Sequence, residues 1–444
     1  MKRLCMLVHG PYPIGEPRVA RETRAAIDGG WEVTVIAMRR PGEPAEERLR
    51  SGELVIRLPL EHRRGGGATS VAREYLGFTL LAASRLYRLS RRAPYDAVQV
   101  HNPPDFLVLA ALPCRARFGS RIVFDVHDLA PDMFGMRFGG RRWSALAHRV
   151  LLLLERLALR AADEVVTVHG PYVRELRARG ADPDHLTVVM NSVDPAVLPR
   201  TKARPAPGFR IVYHGTVTPS YGVDLLVEAA ALARHEVPDL RLDVYGEGDA
   251  VPALRELARS LDLEAATFHD RYLPHGEVLG ELVGASVGIV PNRPSQLNRY
   301  ALSSKLLEYV ALDIPAVVAR LPTLAEHFDD EEVFFFTPGD ASDLARALVE
   351  AASDRRHAAR RARAAAARAR AYAWEDNAAR YLAVLARAGT PATVSPGATS
   401  RVTTAPAPTS APAPTVTPPR TTAPEPRLAP RSTSVGSSSQ SPVD

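Results

Sequence analysis

The chain carries only two cysteines in 444 residues, Cys5 and Cys114. They lie far apart and show no metal-ligand spacing, which fits a reduced compartment and excludes a disulfide framework. A long uncharged apolar run is missing as well. The greasiest stretch, "WSALAHRVLLLLERLALRAAD", is interrupted by His148, Arg149, Glu155, Arg156 and Arg160. It falls short of the ~18–20 apolar residues of a membrane span. The apolar run in "MKRLCMLVHGPYP" stops at His9, too early for a secretory core and suited to a first buried strand. These absences predict a cytoplasmic protein without a transmembrane helix. The glycine-spaced dinucleotide fingerprint is also absent: the first strand leaves through "VHGPYPIGEPRV", which argues against a nicotinamide enzyme. Neither sign of charge dominates. A net charge of +6 and a pI of about 9.4 suit anionic small molecules, anionic lipid surfaces or nucleic acid without choosing among them.

Hydrophobic content of 46% and charged content of 24% are those of a soluble globular protein, and the length suffices for two or three domains. Short apolar runs alternate with helical patterns. In the first half the strands are "RLCMLVH", "EVTVIA", "DAVQVH", "RIVFDVH", "EVVTV" and "LTVVM", with helical stretches at 17–28, 71–91, 104–117, 143–162 and 171–179. After "RTKARPAPG" the pattern restarts with "RIVYHG", "LRLDVYG", "ATFHD", "SVGIVP" and "PAVVA". Unbroken apolar strands between helices imply an α/β protein with two doubly wound parallel sheets, whose ligands bind beyond the carboxyl ends of the strands. The division expected is a first domain at 1–198, a linker at 199–208, a second domain at 209–353, C-terminal helices at 354–388 and a tail at 389–444. Beyond about 389 no aromatic residue occurs, and Pro, Ala, Ser and Thr dominate. Such a segment cannot offset its ordering entropy, so a disordered tail is predicted.

The polar residues that could carry chemistry sit at strand ends. Gly10 and Gly15 shape the exit from the first strand, and Arg18 and Arg21 follow on one helical face, placed to meet an anion or simply to be solvated. His101 and Asn102 end one strand, and His127 and Asp128 end the next, so a polar cleft is expected there. "DVHD" could suggest metal ligands, but no further His/Asp cluster completes a site in the sequence. In the second half, Gly215 would let a backbone approach a ligand closely. "LSSKLLEY" offers free helix amides, Ser303, Ser304 and Lys305, a ready anion site. Glu308 lies one turn further in, where a carboxylate can accept both hydroxyls of a ribose whose phosphates sit at the helix start. A solvated surface glutamate is the competing reading. The helix at 70–92 has Tyr75, Phe78, Leu81 and Leu86 apolar and Arg73, Arg85, Arg88, Arg91 and Arg92 basic. It could lie on an anionic membrane or pack as an ordinary helix with basic ends.

The phrases "VHNPPDF", "FDVHDLAPDMF", "VVMNSVD", "VYHGTVTPSYGVDLL" and "LSSKLLEYVALDIPAVVA" resemble the retaining, GT-B-fold nucleotide-sugar glycosyltransferases of family four. The likeness covers roughly residues 1–387. It implies two Rossmann-like domains facing a central cleft, and transfer of a sugar from a nucleotide diphosphate sugar to a glycan, lipid-linked or polysaccharide-precursor hydroxyl. It further implies that Glu308 binds the donor ribose, that His127 approaches the transferred sugar and its phosphate, and that the Gly10–Gly15 loop lies against phosphates and acceptor. His127 and Lys305 are the expected catalytic groups. Gly10, Gly15, Arg18, His101, Asn102, Asp128, Gly215, Thr216, Ser303, Ser304 and Glu308 are the expected substrate-binding set. No cofactor, metal or nucleic acid is expected, and a peripheral contact with the inner face of an anionic membrane is. Tyr300 stands where many members carry a sugar-contacting glutamate. Thr216 and Tyr221 stand where an arginine and a lysine commonly grip the pyrophosphate. That leaves Lys305, with Arg299 or Arg293, to neutralise the diphosphate. A nucleotide-sugar epimerase, a phosphorylase-like enzyme and a non-catalytic nucleotide-sugar-binding protein are the alternatives on the same fold.

Overall fold

The computed structural model describes residues 1–60, 67–141, 143–199, 207–271, 273–296 and 298–389. The first half builds one sheet from β1 (Lys2–Pro11), β2 (Trp31–Met38), β3 (Glu46–Arg48), β4 (Leu54–Leu58), β5 (Ala97–His101), β6 (Arg121–Val126), β7 (Glu164–Thr167) and β8 (Leu186–Val188). Their order is β3-β4-β2-β1-β5-β6-β7-β8, parallel except where β3 meets β4. The second sheet holds β9 (Phe209–His214), β10 (Leu240–Tyr245), β11 (Ala266–His269), β12 (Val287–Val290), β13 (Ala316–Ala319) and β14 (Phe334–Phe336). It runs β11-β10-β9-β12-β13-β14 and is parallel throughout. Strand β1 shows why: Leu4 to Val8 are all buried, so both faces of the strand must be covered, which only crossover helices can do.

The crossovers of the first domain are α1 (Pro17–Asp28), α2 (Ala68–Arg92), α3 (Leu112–Phe118), α4 (Ala130–Phe138), α5 (Ser144–Ala161) and α6 (Gly170–Arg179), with a 3₁₀ segment at Asp105–Ala110. The second domain uses α7 (Val223–Ala233), α8 (Val251–Ser260), α9 (His275–Leu282), α10 (Ser304–Ala311), α11 (Pro322–His327), α12 (Ala341–Ser353) and α13 (Arg355–Ala369). The last helix, α14 (Trp374–Ala388), crosses back. Its Tyr381, Val384 and Leu385 join the core of the first domain beside α1. The segment 354–388 is therefore divided between the two domains: α13 packs on α10, and α14 packs on the far side of the cleft. A chain that leaves and returns ties the domains together without a large shared core.

Three short strands escape the sequence reading. In β4, Arg57 interrupts the apolar run, and it is buried only because Glu43 at 3.2 Å and Glu47 at 2.9 Å neutralise it. Strand β3 is Glu46, Glu47 and Arg48, with no apolar residue to mark it, and β14 has three residues, too few for a period to register. The apolar set assigned to the 70–92 helix also needs correction. Phe78 and Leu86 are fully buried against the sheet and are core residues, whereas Leu76, Leu80 and Leu81 face outward. Most of the 199–208 linker (residues 200–206) and the tail from 390 to 444 lie outside the described residues.

Candidate active site at the interdomain cleft

The carboxyl ends of β6, β7 and β8 face the loops that precede α7 and α10, where a crevice is expected in open α/β sheets. Between them lies a pocket of about 260 Å³. Its first-domain wall includes His127, Asp128, His169, Tyr172 and Asn191, and its second-domain wall includes Tyr221, Asn292 and residues 301–305.

On the first-domain wall, His127 is the centre of a buried charge network. Its Nδ1 is 3.7 Å from Oδ2 of Asp125, the residue two before it, which is fully buried. His101 Nδ1 lies 2.9 Å from that same oxygen. Arg18 donates to both Asp125 oxygens at 2.9 and 2.8 Å, pairs with Glu22 at 3.1 Å, and donates to the Val189 carbonyl and to Asn191. Burial pulls the His127 pKa down, but Asp125 outweighs it and Asp128 adds to the effect, so the value rises to about 9. His127 is thus an imidazolium at neutral pH, aimed at the cleft by a carboxylate that Arg18 keeps ionised. Arg18 is buried outside the pocket lining, and the anion on its helical face is Asp125. His101 is buried behind His127 and does not line the pocket. Asn102 is buried too, and its amide is used up as a bracket. Its Oδ1 accepts from the His127 and Asp128 amides at 3.0 and 3.2 Å, and its Nδ2 donates to Asp105 at 2.8 Å. Its job is to fix the turn that presents His127 and Asp128. In the first loop, a Cβ on Gly10 would come within 2.3 Å of Glu16 Oε1, so a larger residue there would have to displace that side chain. Gly15 sits at φ +99°, and neither glycine borders the pocket.

On the second-domain wall, Ser303 caps the N-terminus of α10 without using its hydroxyl on the helix, and Ser303, Ser304 and Lys305 all border the pocket. The Lys305 ammonium stands 4.5 Å from the centre of the Tyr221 ring and 5.6 Å from that of Tyr213. Burial lowers its pKa to about 8, against the opposing pull of Glu308. An amine held over aromatic faces keeps its donors free for an anion. Gly215, at φ +104°, lies directly under this side chain: a Cβ there would come within 2.8 Å of Lys305 Cε. The close approach expected of Gly215 is therefore to the lysine. Thr216 is exposed and outside the pocket. Of the two other cations considered, Arg293 is paired with Asp224 at 2.5 Å, and the Arg299 guanidinium lies 5.6 Å over Tyr300. Lys305 is the one that reaches the pocket. Tyr300 turns to the first domain and donates to Glu175 at 3.1 Å.

Glu308 is no surface residue. It is buried one turn behind Lys305, with His214 Nε2 on one oxygen and His275 Nε2 on the other at 3.0 Å. Burial would raise its pKa, but the two imidazoles outweigh that and hold it at about 2. His214, at the end of β9, and His275, opening α9, were not singled out in the sequence. "YHG" at a strand end is the signal that could have found His214; nothing local marks His275. Glu16 was missed as well: burial raises its pKa while His127 opposes the shift.

The fold also assembles a cluster not seen in the sequence. His101, Asp125 and His127 offer ligand atoms within 4.8 Å of one another, drawn from two neighbouring strand ends. They fit a cation poorly, because Asp125 already carries the Arg18 guanidinium on both of its oxygens.

Comparison with known proteins agrees with this architecture. The family model "Glycosyltransferase Family 4" matches residues 15–197, and "Glycosyl transferases group 1" matches residues 208–354. A glycogen synthase of Mycobacterium tuberculosis is 28% identical over 204 residues, covering 46% of each chain, so that match spans about half of the relative's length. A phosphatidyl-myo-inositol mannosyltransferase of Propionibacterium freudenreichii is 26% identical over 376 residues, covering 78% of this chain and 86% of the relative. Among solved structures, sucrose-phosphate synthase from Thermosynechococcus elongatus superposes with a TM-score of 0.70 at 17% identity, over 87% of this chain and 98% of that one. With consecutive family matches on its two Rossmann-like domains and the cleft between them, the chain belongs to the GT-B glycosyltransferases of family 4, group 1.

Proposed function

We propose that the protein transfers a sugar from a nucleotide diphosphate sugar to an acceptor hydroxyl, with retention at the anomeric carbon and without a metal. The observation that carries this reading is the pair of cations across the pocket: Lys305 over Tyr221 on one wall and His127 against Asp125 on the other. In the transfer the bond from the anomeric carbon to the diphosphate oxygen breaks, and a bond to the acceptor oxygen forms. The departing diphosphate takes the electron pair, and the acceptor proton passes to a phosphate oxygen on the same face. Charge grows on the phosphates as the bond breaks, so a pre-placed ammonium and free α10 amides favour the transition state over the ground state. In this reading the His127 N–H on the pocket wall hydrogen-bonds the sugar or the bridging oxygen. Glu308 stands one turn behind the pocket residues and has a histidine on each oxygen, so in this reading the ribose hydroxyls reach only its remaining lone pairs, on the side of the half-exposed His275. The matched relatives named above are a phosphatidyl-myo-inositol mannosyltransferase and a glycogen synthase, names that fit a lipid-linked or a glycan hydroxyl as acceptor.

No helix among the described residues is long and apolar enough to cross a membrane, and the proposal includes peripheral contact with one. Tyr300 favours a second reading, binding without turnover, because the group at that position is turned to Glu175. A panel of nucleotide sugars with mixed acceptors separates the readings. Transfer that survives EDTA is expected. Isomerisation, binding without turnover, or activity that EDTA abolishes and a divalent ion restores would each overturn it.

A further inference from the structure

The outer faces of α2 and α5 are apolar and basic in a way the cleft chemistry does not need. On α5, Leu146, Val150, Leu153 and Leu157 are all exposed, Leu146 at 68%. Their spacing of four, three and four residues puts them in one stripe of roughly 16 Å. Arg149, Arg156 and Arg160 are exposed along its flank. The single acidic residue of α5, Glu155, is turned inward to Arg179 at 2.7 Å. Helix α2 repeats the arrangement. Leu76, Leu80 and Leu81 are exposed, Leu80 at 71%, with Arg73, Arg88, Arg91 and Arg92 exposed on the same helix. Its single acid, Glu74, pairs inward with His9 at 3.2 Å. Both helices pack on the Asp105–Ala110 segment, whose Leu109 is exposed as well, and all three cover the same face of the first sheet.

We propose that this outer face of α2, the 105–110 segment and α5 is a docking surface for an anionic lipid bilayer. Exposed leucines beside arginines, with the acids of both helices turned inward and the neighbouring Glu46 taken up by Arg85, fit an interface where apolar side chains enter the acyl boundary and guanidinium groups meet phosphate. A second copy of the chain fits worse: a twofold contact through this face would stack arginine on arginine with no carboxylate of either helix facing out to pair them. The face ends at a second cavity of about 360 Å³, walled by Ser144, Ala145 and His148 of α5, Asp132 and Gly135 of α4, and Gln296 of the other domain. Resting on the transfer reading, this arrangement lets a headgroup acceptor reach the cleft while its tail stays in the bilayer.

The test is flotation of the full chain with phosphatidylcholine vesicles, alone or mixed with phosphatidylglycerol. The protein is expected to float with the mixed vesicles only, and less in high salt. Each surface arginine adds about fivefold to binding, so Arg149→Gln, Arg156→Gln and Arg160→Gln together should weaken it by roughly a hundredfold. Val150→Ser with Leu153→Ser should weaken it by about tenfold or more. Melting temperature and nucleotide-sugar affinity should not move in these variants, since the positions face solvent away from the pocket. Equal flotation with both vesicle types, or none, overturns the surface. So does binding that survives the substitutions but vanishes when residues 390–444 are removed, or a dimer that Leu153→Ser converts to monomer. If vesicle binding behaves as expected while no nucleotide sugar binds, the transfer reading fails and the docking surface stands.

Discussion

At the scale of single residues, the pocket's charge is set by two basic groups displaced in opposite directions. Burial brings Lys305 down to about 8, and Asp125 brings His127 up to about 9. Both are protonated at neutral pH and lose charge as pH rises, Lys305 first. Affinity for a nucleoside diphosphate should therefore fall in two steps, through about 8 and then about 9, when followed by calorimetry across that range. Lys305→Ala should remove the lower step and cost more than a neutral hydrogen bond, since a charge-assisted contact is lost; a loss of roughly tenfold or more is expected. An unchanged pH profile in that variant would mean the amine does not face the phosphates. Glu308 carries a second prediction. Its folded pKa of about 2 lies below its ordinary value of 4.5, so its contribution to stability is present above 4.5 and is lost as pH falls toward 2. Glu308→Gln should lower both donor affinity and melting temperature at neutral pH, each by an amount set by ~1.5–3 kcal/mol per charged hydrogen bond. Its melting temperature should also respond less to acid than that of the parent. A parent melting temperature flat from pH 5 to pH 3 would remove the carboxylate from that role.

At the scale of elements, the β6 strand end does its work through residues two apart. Asp125 points into the domain to meet Arg18 of α1, and His127 points to the cleft. Asp125→Asn should keep the fold, because Arg18 retains Glu22, the Val189 carbonyl and Asn191. It should move the upper step of the pH profile from about 9 to near the ordinary histidine value of ~6.5. A role confined to packing would lower kcat without moving that step. This arrangement also shows what the sequence could and could not disclose. Strands such as β1 and β6 were legible because burial on both faces leaves an unbroken apolar run. That Arg18 and Asp125 bind each other was not, since 107 residues separate them and only the sheet order brings β6 beside α1. Lys305 and Glu308 were legible because both lie on one short helix. Their partners Tyr221, His214 and His275 were not, because each arrives from a different loop. On α2, leucines occur all around the helix, so periodicity alone offered two stripes and the packed one had to be found from its contacts.

At the scale of the molecule, the two domains meet through contacts of unequal weight. Arg174 and Glu326 make two hydrogen bonds, at 2.9 and 2.6 Å, but both side chains are largely exposed, so the pair contributes little. The heavier contact is His169 of the first domain against His327 of the second, with ring centres 5.9 Å apart. Burial first, and then the neighbouring His327, lower His169 to about 3; burial lowers His327 as well. Both imidazoles are therefore neutral where the domains meet, and each leaves one buried ring nitrogen without a partner among the described residues. A histidine with a folded value below its unfolded ~6.5 takes up its proton more readily when the contact opens. The penalty is absent above 6.5 and grows as pH falls toward 3. Mild acid should thus favour domain separation, read as a larger radius of gyration by X-ray scattering at pH 5 than at pH 7.5. His327→Gln keeps a polar side chain that cannot charge, so it should reduce that expansion. Arg174→Ala should leave it nearly unchanged. If Arg174→Ala alone opens the molecule at neutral pH, the exposed ion pair holds the domains and the histidine contact does not.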